Sequence, residues 1–382
     1  MFTTRIIQMV SRLLCNVIRV LYRLKPKVVF KCFNGNQYSD NPRAISEKLH
    51  ELYPSYEIVW LVNKDFAYYY AIPNYVRIVK KSLLNLSWLY EISTCMAYVT
   101  NNEIRNNLTK GKKQLFIQTW HGDRTVKKIL FEKAENVDVC DNINTSVCLA
   151  GSTFGESAFR TAFKFNGEIL CYGCPRNDVL LSSKKMSERN NTVRKEYGIP
   201  LDAKILLYAP TFRDNKVHKS QEVFIDLEST LDSLDRKSNN QWYCLIRAHS
   251  LTSALEYDNK GQKIIDATNY FDMADLLCAA DFIITDYSSC AFDFALTGKP
   301  VILALFDKDD YENGCREFKV APDKVGFFFA NNQLELENII RTKSNSDFEN
   351  ADNKVNSFFG TNETGTASEK ACEYLNKHCA EL

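Results

Sequence analysis

Two of the five histidines in this chain directly follow apolar runs that are typical of buried strands. His121 follows LFIQTW, and His249 follows LIRA. A neutral imidazole, with an ordinary pKa of about 6.5, is well matched to removing a proton from a hydroxyl at neutral pH. His121 is therefore a candidate general base, and Asp123 is a candidate group to orient it. A core histidine with satisfied hydrogen bonds is the alternative, and the residues leave both open.

A second group of polar residues follows apolar runs later in the chain. Arg247 and His249 stand two residues apart, which places both side chains on the same side of a strand end. Arg213 follows KILLYAP, where a guanidinium could hold a phosphate through two hydrogen bonds. Ser288 and Ser289 follow DFIITDY and suit a helix N-terminus, whose amides attract phosphate. Together these residues predict an anion pocket, although each alone could be a structural hydrogen-bonding residue.

Patterns for metals and common cofactors are weak in this sequence. The stretch DKDD, residues 307 to 310, contains a DxD, but a solvated loop after the last strand is the favoured interpretation. No GxGxxG, P-loop or zinc-protease pattern occurs, so nicotinamide and ATP chemistry lack support. The thirteen cysteines lack regular spacing, and no second pair completes a zinc site with Cys171 and Cys174. We therefore assign no metal site, expect no cofactor, and interpret the cysteines as reduced packing thiols of a cytosolic protein.

Alternating strand-like and helix-like stretches predict the scaffold that positions these residues. The first series contains the strand candidates KVVFKCF, YEIVWLV, YVRIV, MAYVTN, LFIQTW and SVCLAG. The second contains KILLYAP, YCLIRAH, KIIDA, DFIITD and PVILALF. Strands separated by helices predict a mostly parallel sheet that is covered on both faces. Ligands of such sheets bind at the carboxyl ends of the strands, which is where the unusual residues stand.

The length of 382 residues and the two series predict two domains. We expect an α/β fold in which two Rossmann-like domains face each other across a cleft. The predicted ranges are an N-terminal helix (1–26), a first domain (27–185), a second domain (186–345) and a helical segment packing back on the first domain (346–382).

The first 26 residues are rich in arginine, and the first acidic residue of the chain is Asp40. On a helix with about 100° per residue, four arginines fall within about 40° of one another while apolar residues cover the rest. They are Arg5, Arg12, Arg19 and Arg23. This pattern is typical of a basic amphipathic helix that lies in an anionic membrane surface. A helix packed on the domain is the alternative; a signal peptide is disfavoured because arginines interrupt the apolar region.

Two further observations exclude other classes of partner. No apolar run reaches the length of about 18 residues that a transmembrane helix needs. The net charge is +1, so the whole molecule has no bulk attraction to nucleic acid.

Eight stretches resemble, in this order, the CDP-glycerol glycerophosphotransferase family of teichoic-acid and capsule synthesis. They are YSDNPRAI, QTWHG, GSTF, GCPRND, LLYAPTFRD, LIRAH, DMADLLCAADFIITDYSSCAFDFALTGKPVIL and GTASE. The seventh, at residues 272 to 303, is the most specific, and the matches run from about residue 30 to residue 370.

The resemblance implies a GT-B architecture in which the second domain holds CDP-glycerol. Enzymes of this family transfer glycerol phosphate to a hydroxyl of a membrane-linked glycan or polyol-phosphate acceptor and release CMP. The resemblance implies that His121 is the base, with Trp120, Gly122 and Asp123 on the acceptor side. His249 is the second functional histidine. The residues expected to bind the donor diphosphate are Arg213, Arg247, Thr285, Asp286, Ser288 and Ser289.

The resemblance also implies a peripheral enzyme at the cytoplasmic face of the cell membrane, and it is compatible with self-association. The family usually shows Thr-Pro-Leu-Lys after Trp-His-Gly, whereas this chain has Asp123 to Lys127, a loop that we expect to face the acceptor. Three alternatives stay open. They are the same reaction with CDP-ribitol, a GT-B glycosyltransferase that uses a nucleotide sugar, and a non-catalytic membrane scaffold.

Overall fold

The computed structural model describes seven stretches of the chain. They are residues 2–82, 85–102, 108–132, 144–211, 225–248, 263–315 and 317–380.

Helices and strands alternate along these residues, as the sequence predicts. The helices are α1 (Phe2–Leu21), α2 (Asp40–Leu52), α3 (Leu86–Thr94), α4 (Thr153–Thr161), α5 (Ser183–Tyr197), α6 (Leu227–Ser238), α7 (Met273–Ala279), α8 (Cys290–Phe294), α9 (Lys308–Gly314), α10 (Gln333–Thr342), α11 (Asn345–Phe358) and α12 (Ala367–Ala380). The strands are β1 (Lys25–Lys31), β2 (Glu57–Val62), β3 (Val76–Lys80), β4 (Cys95–Thr100), β5 (Leu115–Gln118), β6 (Val147–Leu149), β7 (Glu168–Leu170), β8 (Lys204–Ala209), β9 (Trp242–Ile246), β10 (Ile264–Asp266), β11 (Phe282–Thr285), β12 (Val301–Ala304) and β13 (Phe328–Ala330).

The chain divides into two compact units, each built on its own sheet. Unit 1 comprises Met1–Asp123, Leu130–Asp178 and Asn362–Leu382, and unit 2 comprises Arg124–Ile129 and Val179–Thr361. Among the described residues, the strand order is β3-β2-β1-β4-β5-β6-β7 in unit 1 and β10-β9-β8-β11-β12-β13 in unit 2. Every neighbouring pair of these strands is parallel. The prediction of an α/β fold with parallel sheets is confirmed.

Helices cover both faces of the unit 1 sheet. Alternate residues of a strand point to opposite faces, and the centre of β1 is apolar on both. Val28 and Phe30 pack in one cluster with residues of α2 and α12, whereas Val29 packs in another with residues of α1 and α3. Both clusters are buried, which explains why β1 reads as a continuous apolar run rather than an alternating one.

Helix α1 has one packed side and one exposed apolar side. Ser11 and Cys15 are buried, and Leu14 and Ile18 pack against the cluster that contains Trp88. The exposed apolar residues recur every three to four positions, which places them within about 120° of one another. They are Ile6, Met9, Val10, Leu13, Val17, Val20 and Leu21. None of the described helices is both long enough and apolar enough to span a bilayer.

Unit 2 contains a core that includes residues of β8, β9, β11 and β12 packed with residues of α6, α10 and α11. Phe348 on α11 is 1% exposed. Its ring lies 5.5 Å from that of Phe282 and 5.2 Å from that of Phe328, measured between centroids. These contacts explain why α11 belongs to this unit.

The units differ from the predicted domain ranges in three places. Residues 346–361, predicted to pack on the first domain, belong to unit 2 because of the buried contacts of Phe348. Residues 179–185 also belong to unit 2. The segment Arg124–Ile129 leaves unit 1 and joins unit 2. Of the predicted C-terminal segment, Asn362–Leu382 belongs to unit 1.

Candidate active site

The end of β5 places His121 at the carboxyl edge of the unit 1 sheet. Leu115 to Gln118 are buried, whereas Trp120 and His121 are partly exposed. The Trp120 backbone takes a left-handed conformation, with φ of +50°. Its amide donates a 2.8 Å hydrogen bond to the Gln118 side-chain oxygen, and its carbonyl accepts a 3.0 Å bond from the Asn41 side chain. The chain is thus turned sharply at the strand end, where His121 follows.

A backbone carbonyl orients the His121 ring. Nδ1 lies 2.8 Å from the Asn101 carbonyl oxygen. A carbonyl oxygen only accepts hydrogen bonds, so Nδ1 is the donor and Nε2 keeps the lone pair of the neutral ring. The rings of Trp120 and Phe33 flank the imidazole, with centroids 4.1 Å and 5.2 Å away. In the neutral ring, this contact leaves Nε2 as the nitrogen that can accept a proton.

Asn101 is itself held by a buried polar network. Its side-chain amide donates to Asp40 Oδ2 at 2.6 Å, and its side-chain oxygen accepts from the Phe33 amide at 2.9 Å. The other oxygen of Asp40 accepts a 2.9 Å hydrogen bond from Arg176, whose side chain is 10% exposed. The network therefore runs from Arg176 through Asp40 and Asn101 to His121. The residue-by-residue prediction missed these three positioning groups, although Asp40 and Arg176 stand in the matched stretches YSDNPRAI and GCPRND.

Asp123 holds the chain at the start of α4, and its predicted part in orienting His121 stays a prediction. Its carboxylate accepts from the Gly151 amide at 2.8 Å and from the Ser152 hydroxyl at 2.5 Å. Ser152 in turn caps α4 by accepting from the Gly155 amide. A Cβ added at Gly155 would lie 1.8 Å from Asp123 Oδ1, so the carboxylate approaches the first turn of α4 closely. The Asn101 carbonyl contacts Nδ1 of His121, and Asp123 fixes the start of α4.

The loop after Gly122 does not form an acceptor-facing surface along its first half. Arg124, Thr125 and Val126 are buried, and Gly122 itself is partly exposed. Arg124 donates to Asp293 at 3.1 Å, and the Val126 carbonyl accepts from Lys319 at 2.7 Å. The expectation for this loop is wrong at these residues because they pack inside unit 2.

In unit 2, Thr285 and Asp286 join two strand ends. The Thr285 hydroxyl donates to the Ala209 carbonyl at 2.6 Å and is fully buried. The Asp286 carboxylate accepts from the Thr211 amide at 2.9 Å and hydroxyl at 2.5 Å, and from the Tyr287 amide at 2.6 Å. These contacts fix the first residues after β8. The predicted contact of Thr285 and Asp286 with a diphosphate stays a prediction.

The remaining predicted donor-site residues follow neighbouring strands. Ser288 and Ser289 follow β11 and are partly exposed, and Ser289 stands at the N-cap position of α8 without a side-chain capping bond. Arg247 follows β9, is partly exposed, and donates its amide to the Tyr208 carbonyl at 2.8 Å. Because β9, β8 and β11 are adjacent in the sheet, these residues meet at one carboxyl edge. Arg213 and His249 lie outside the described residues.

Three other predicted features have structural explanations. The expectation that DKDD is a loop after the last strand is wrong, because Lys308 to Asp310 begin α9 and β13 follows later in the chain. Asp307 accepts from the Tyr287 hydroxyl at 3.0 Å, and Lys308 pairs with Asp323 at 2.6 Å. Across the described stretches, no group of three or more His, Cys, Asp or Glu residues is arranged to hold a metal ion. The thiol of Cys171 donates to Glu156, and burial raises its pKa to about 11, as expected for an unreactive packing thiol.

The predicted membrane-contact arginines differ in their environments. The Arg19 guanidinium donates to the carbonyl and the hydroxyl of Thr109. It therefore anchors α1 to unit 1. Arg23 is exposed, Arg12 is partly exposed, and the side chain of Arg5 lies outside the described part of the structure.

Comparison with known proteins identifies the family. A teichoic acid poly(glycerol phosphate) polymerase of Staphylococcus epidermidis is 31% identical over 310 residues, which are 77% of this chain and 42% of that protein. The chain thus spans about two fifths of the length of that relative. A protein of the same name from Bacillus spizizenii is 29% identical over 386 residues and covers 94% of each chain. A solved structure of the wall teichoic acid polymerase TagF, in a histidine-to-alanine variant, is similar with a TM-score of 0.81 and 25% identity, over 99% of this chain and 96% of that one.

A family model described as CDP-glycerol:poly(glycerophosphate) glycerophosphotransferase matches residues 14–377, nearly the whole chain. The chain therefore belongs to the CDP-glycerol:poly(glycerophosphate) glycerophosphotransferase family.

Proposed function

We propose that this protein transfers glycerol phosphate from CDP-glycerol to a hydroxyl of a membrane-linked acceptor and releases CMP, in the synthesis of a teichoic-acid or capsular polymer. The observation that carries the proposal is the tautomer of His121, which the Asn101 carbonyl holds with Nδ1 as the donor. Family membership and the names of the relatives support the choice of donor.

In the proposed reaction, Nε2 of His121 takes the proton of the acceptor hydroxyl. The acceptor oxygen then attacks the phosphorus that carries glycerol, and the bond from that phosphorus to the bridging oxygen breaks. CMP leaves with the electron pair of the broken bond. Such phosphoryl-type transfers depend mainly on positioning and on neutralising the charge of the transferred and leaving groups.

Unit 2 supplies the groups that neutralise this charge. Arg247, Ser288 and Ser289 stand at the carboxyl ends of neighbouring strands, where ligands of parallel sheets bind. Asp286 contributes indirectly because it holds Thr211, which stands two residues before Arg213 in the sequence. The proposal assigns the enzyme to the GT-B architecture, with the donor bound by unit 2 and the base supplied by unit 1. It includes no metal ion.

We also propose that the exposed apolar side of α1 inserts into the cytoplasmic face of the cell membrane. Met9 and Leu13 are 67% and 63% exposed, which is unusual for large apolar side chains that recur at helical spacing. Basic residues beside an apolar strip favour an anionic bilayer surface. Arg12 lies on α1 and is partly exposed, and Arg23 is exposed in the segment that follows the helix.

The experiment that tests the reaction is CMP release by the purified protein from CDP-glycerol and CDP-ribitol in separate reactions. Each reaction contains undecaprenyl-linked glycans as the acceptor. We expect CMP release that depends on both the acceptor and CDP-glycerol. CMP release from CDP-ribitol but not from CDP-glycerol would show that the donor is CDP-ribitol. Turnover of a nucleotide sugar with no CMP release from either donor would favour the glycosyltransferase alternative, and no turnover of any donor would favour a scaffold.

A further inference from the structure

Unit 1 contains a cavity of about 110 Å³ at the carboxyl end of β1 and β3. Lys31 ends β1 and Lys81 directly follows β3. Asn34 and Asn85 also line the cavity, and both have left-handed backbones, with φ of +58° and +59°. The cavity has room for several water-sized groups. None of these residues takes part in the contacts that orient His121.

Trp88 forms a rigid wall of this cavity. Its indole NH donates to the Val79 carbonyl at 3.2 Å, and a Cβ added at Gly35 would lie 2.8 Å from its ring. The Lys81 ammonium lies 5.5 Å from the centre of the Trp88 ring, within the range of a cation–π contact. The wall and one cation are therefore placed by packing.

The described lining of the cavity is cationic. It includes two lysines and no acidic residue. Lys31 is 8% exposed, so its ammonium is largely shielded from solvent. Its ammonium lies 6.0 Å from the centre of the Tyr98 ring. Two lysines beside the side-chain amides of Asn34 and Asn85 suit a phosphate, because a phosphate accepts hydrogen bonds through several oxygens.

The cavity adjoins both the candidate base and the candidate membrane helix. The Asn34 amide donates to the Asn102 side chain at 2.7 Å, and the preceding Phe33 contacts the His121 ring. On the other side, Leu108 lines the cavity and packs in the apolar cluster that includes Cys15 of α1. Arg19 of α1 bonds to Thr109, the next residue. A ligand here would thus be near both the reacting hydroxyl and the bilayer surface.

We propose that this cavity binds a phosphate ester of a membrane lipid, namely a phosphate of the lipid-linked acceptor. This rests on the proposed function, since it assigns the acceptor to unit 1. Binding there would hold the lipid end of the acceptor while its hydroxyl reaches His121. A bulk anionic phospholipid carries the same chemistry, and the experiment separates the two sources.

The first arm measures binding without turnover. Glycerol 3-phosphate and, separately, inorganic phosphate are titrated against the full-length protein by calorimetry. The variants are Lys81→Met and the double variant Lys31→Met with Lys81→Met. The matched control is Lys80→Met, because Lys80 is the neighbouring lysine and its ammonium lies over the Tyr69 ring instead. We expect affinity to fall about tenfold per lost lysine and to be unchanged in the control. Thermal unfolding checks that each variant is folded; if the double variant is not, Lys81→Met alone decides.

The second arm separates the sources of phosphate. If the cavity binds the acceptor, each lost lysine raises the KM for the detergent-solubilised lipid-linked acceptor by about tenfold. The KM for CDP-glycerol then stays unchanged. Unchanged kinetics with weaker sedimentation on vesicles of phosphatidylglycerol and phosphatidylcholine, relative to phosphatidylcholine alone, would assign the site to bulk lipid and overturn the acceptor assignment. Equal phosphate affinity in all variants, or an equal loss in the control, would overturn the site itself. If no donor is turned over, the calorimetric titration still tests phosphate binding in the cavity. Failure of the proposed reaction and failure of the proposed site can therefore be told apart.

Discussion

The contact at Nδ1 decides which nitrogen of His121 can accept a proton. Because the partner is a carbonyl, which only accepts hydrogen bonds, the neutral ring is held in one tautomer. The position of His121 at a strand end could be predicted, since the apolar run before it is short and ends in polar residues. Its orienting group could not be predicted, because it is a main-chain atom that stands twenty residues earlier in the sequence, on the neighbouring strand end.

Replacement of His121 by alanine tests the base. We expect His121→Ala to lower kcat by roughly 10²–10⁴-fold, because the acceptor hydroxyl loses its proton acceptor. The KM for CDP-glycerol is expected to stay unchanged, since the donor is assigned to unit 2. Initial rates of CMP release measure both quantities.

His50 provides a matched control in the same unit, where its ring stacks on Tyr75 with centroids 3.6 Å apart. His50→Ala is expected to retain normal kcat. A near-normal rate for His121→Ala would remove His121 from the mechanism.

Loss of the Asp40 carboxylate tests positioning apart from proton transfer. Asp40→Asn weakens the acceptors for Arg176 and Asn101, which both bond to this carboxylate. We expect kcat to fall by less than in His121→Ala, while the pKa in the pH profile of kcat still reports a histidine. Equal loss in Arg43→Gln, which breaks an ion pair with Glu47 on the same helix, would show a general effect on stability instead.

At the scale of elements, the carboxyl ends of the parallel strands gather the site residues of each unit. This could be read from the sequence because buried parallel strands are continuous apolar runs that end in polar residues. The contacts between strand ends could not be read from the sequence. Thr211 and Asp286 follow different strands and are 75 residues apart, and nothing in either local pattern specifies that they bond. The sequence therefore predicts a ligand contact for Asp286 but not its bond to Thr211.

The exposed apolar side of α1 can be tested for membrane binding. Leu13→Gln combined with Val17→Gln removes exposed apolar surface and leaves the packed side intact. We expect binding to vesicles that contain phosphatidylglycerol to weaken at least about tenfold, because each buried aliphatic side chain contributes about 1.5 kcal/mol or more. Thermal stability should stay unchanged. Sedimentation with the vesicles measures the effect.

Leu334→Gln is the control, since Leu334 is 79% exposed on α10. Unchanged sedimentation of the α1 variant would refute the membrane role of this helix and leave its packed side as its function.

At the scale of the whole molecule, each unit has its own core, and a buried carboxyl makes the core of unit 2 sensitive to pH. Asp352 on α11 is 1% exposed, and neither of its carboxyl oxygens has a hydrogen-bond partner among the described residues. Burial raises its pKa to about 8. In the unfolded chain the pKa is about 3.9, so between about pH 4 and pH 8 the folded form holds one more proton.

The free energy of unfolding therefore falls as pH rises through this window, by up to about 1.4 kcal/mol per pH unit from this group. Asp352→Asn removes the titration, and we expect it to stabilise the protein at pH 8 relative to the natural chain, with a smaller difference at pH 5. Denaturant unfolding at the two pH values measures this. Glu349→Gln removes a neighbouring charge that also raises the pKa of Asp352, so it should reduce the slope less than Asp352→Asn does. A slope in Asp352→Asn identical to that of the natural chain would show that Asp352 titrates normally.

The division of the chain was the part of the whole molecule that the sequence predicted least well. The two α/β series are visible as repeated strand and helix patterns. The assignment of α11 to unit 2 depends on one buried aromatic contact set around Phe348, which no periodicity reveals. Arg124–Ile129 likewise belongs to unit 2 because Arg124 bonds to partners that are distant in the sequence, such as Asp293.

The placement of α12 has a consequence for synthesis on the ribosome. Ala371, Cys372 and Leu375 fill the core of unit 1, and Asp178 accepts hydrogen bonds from the first amides of this helix. Unit 2, which ends at Thr361, precedes them in the order of translation. The second unit therefore leaves the ribosome whole while the first still lacks part of its core. The nascent protein must carry an incomplete N-terminal unit until α12 emerges, so the unit that is made first is the last to be finished.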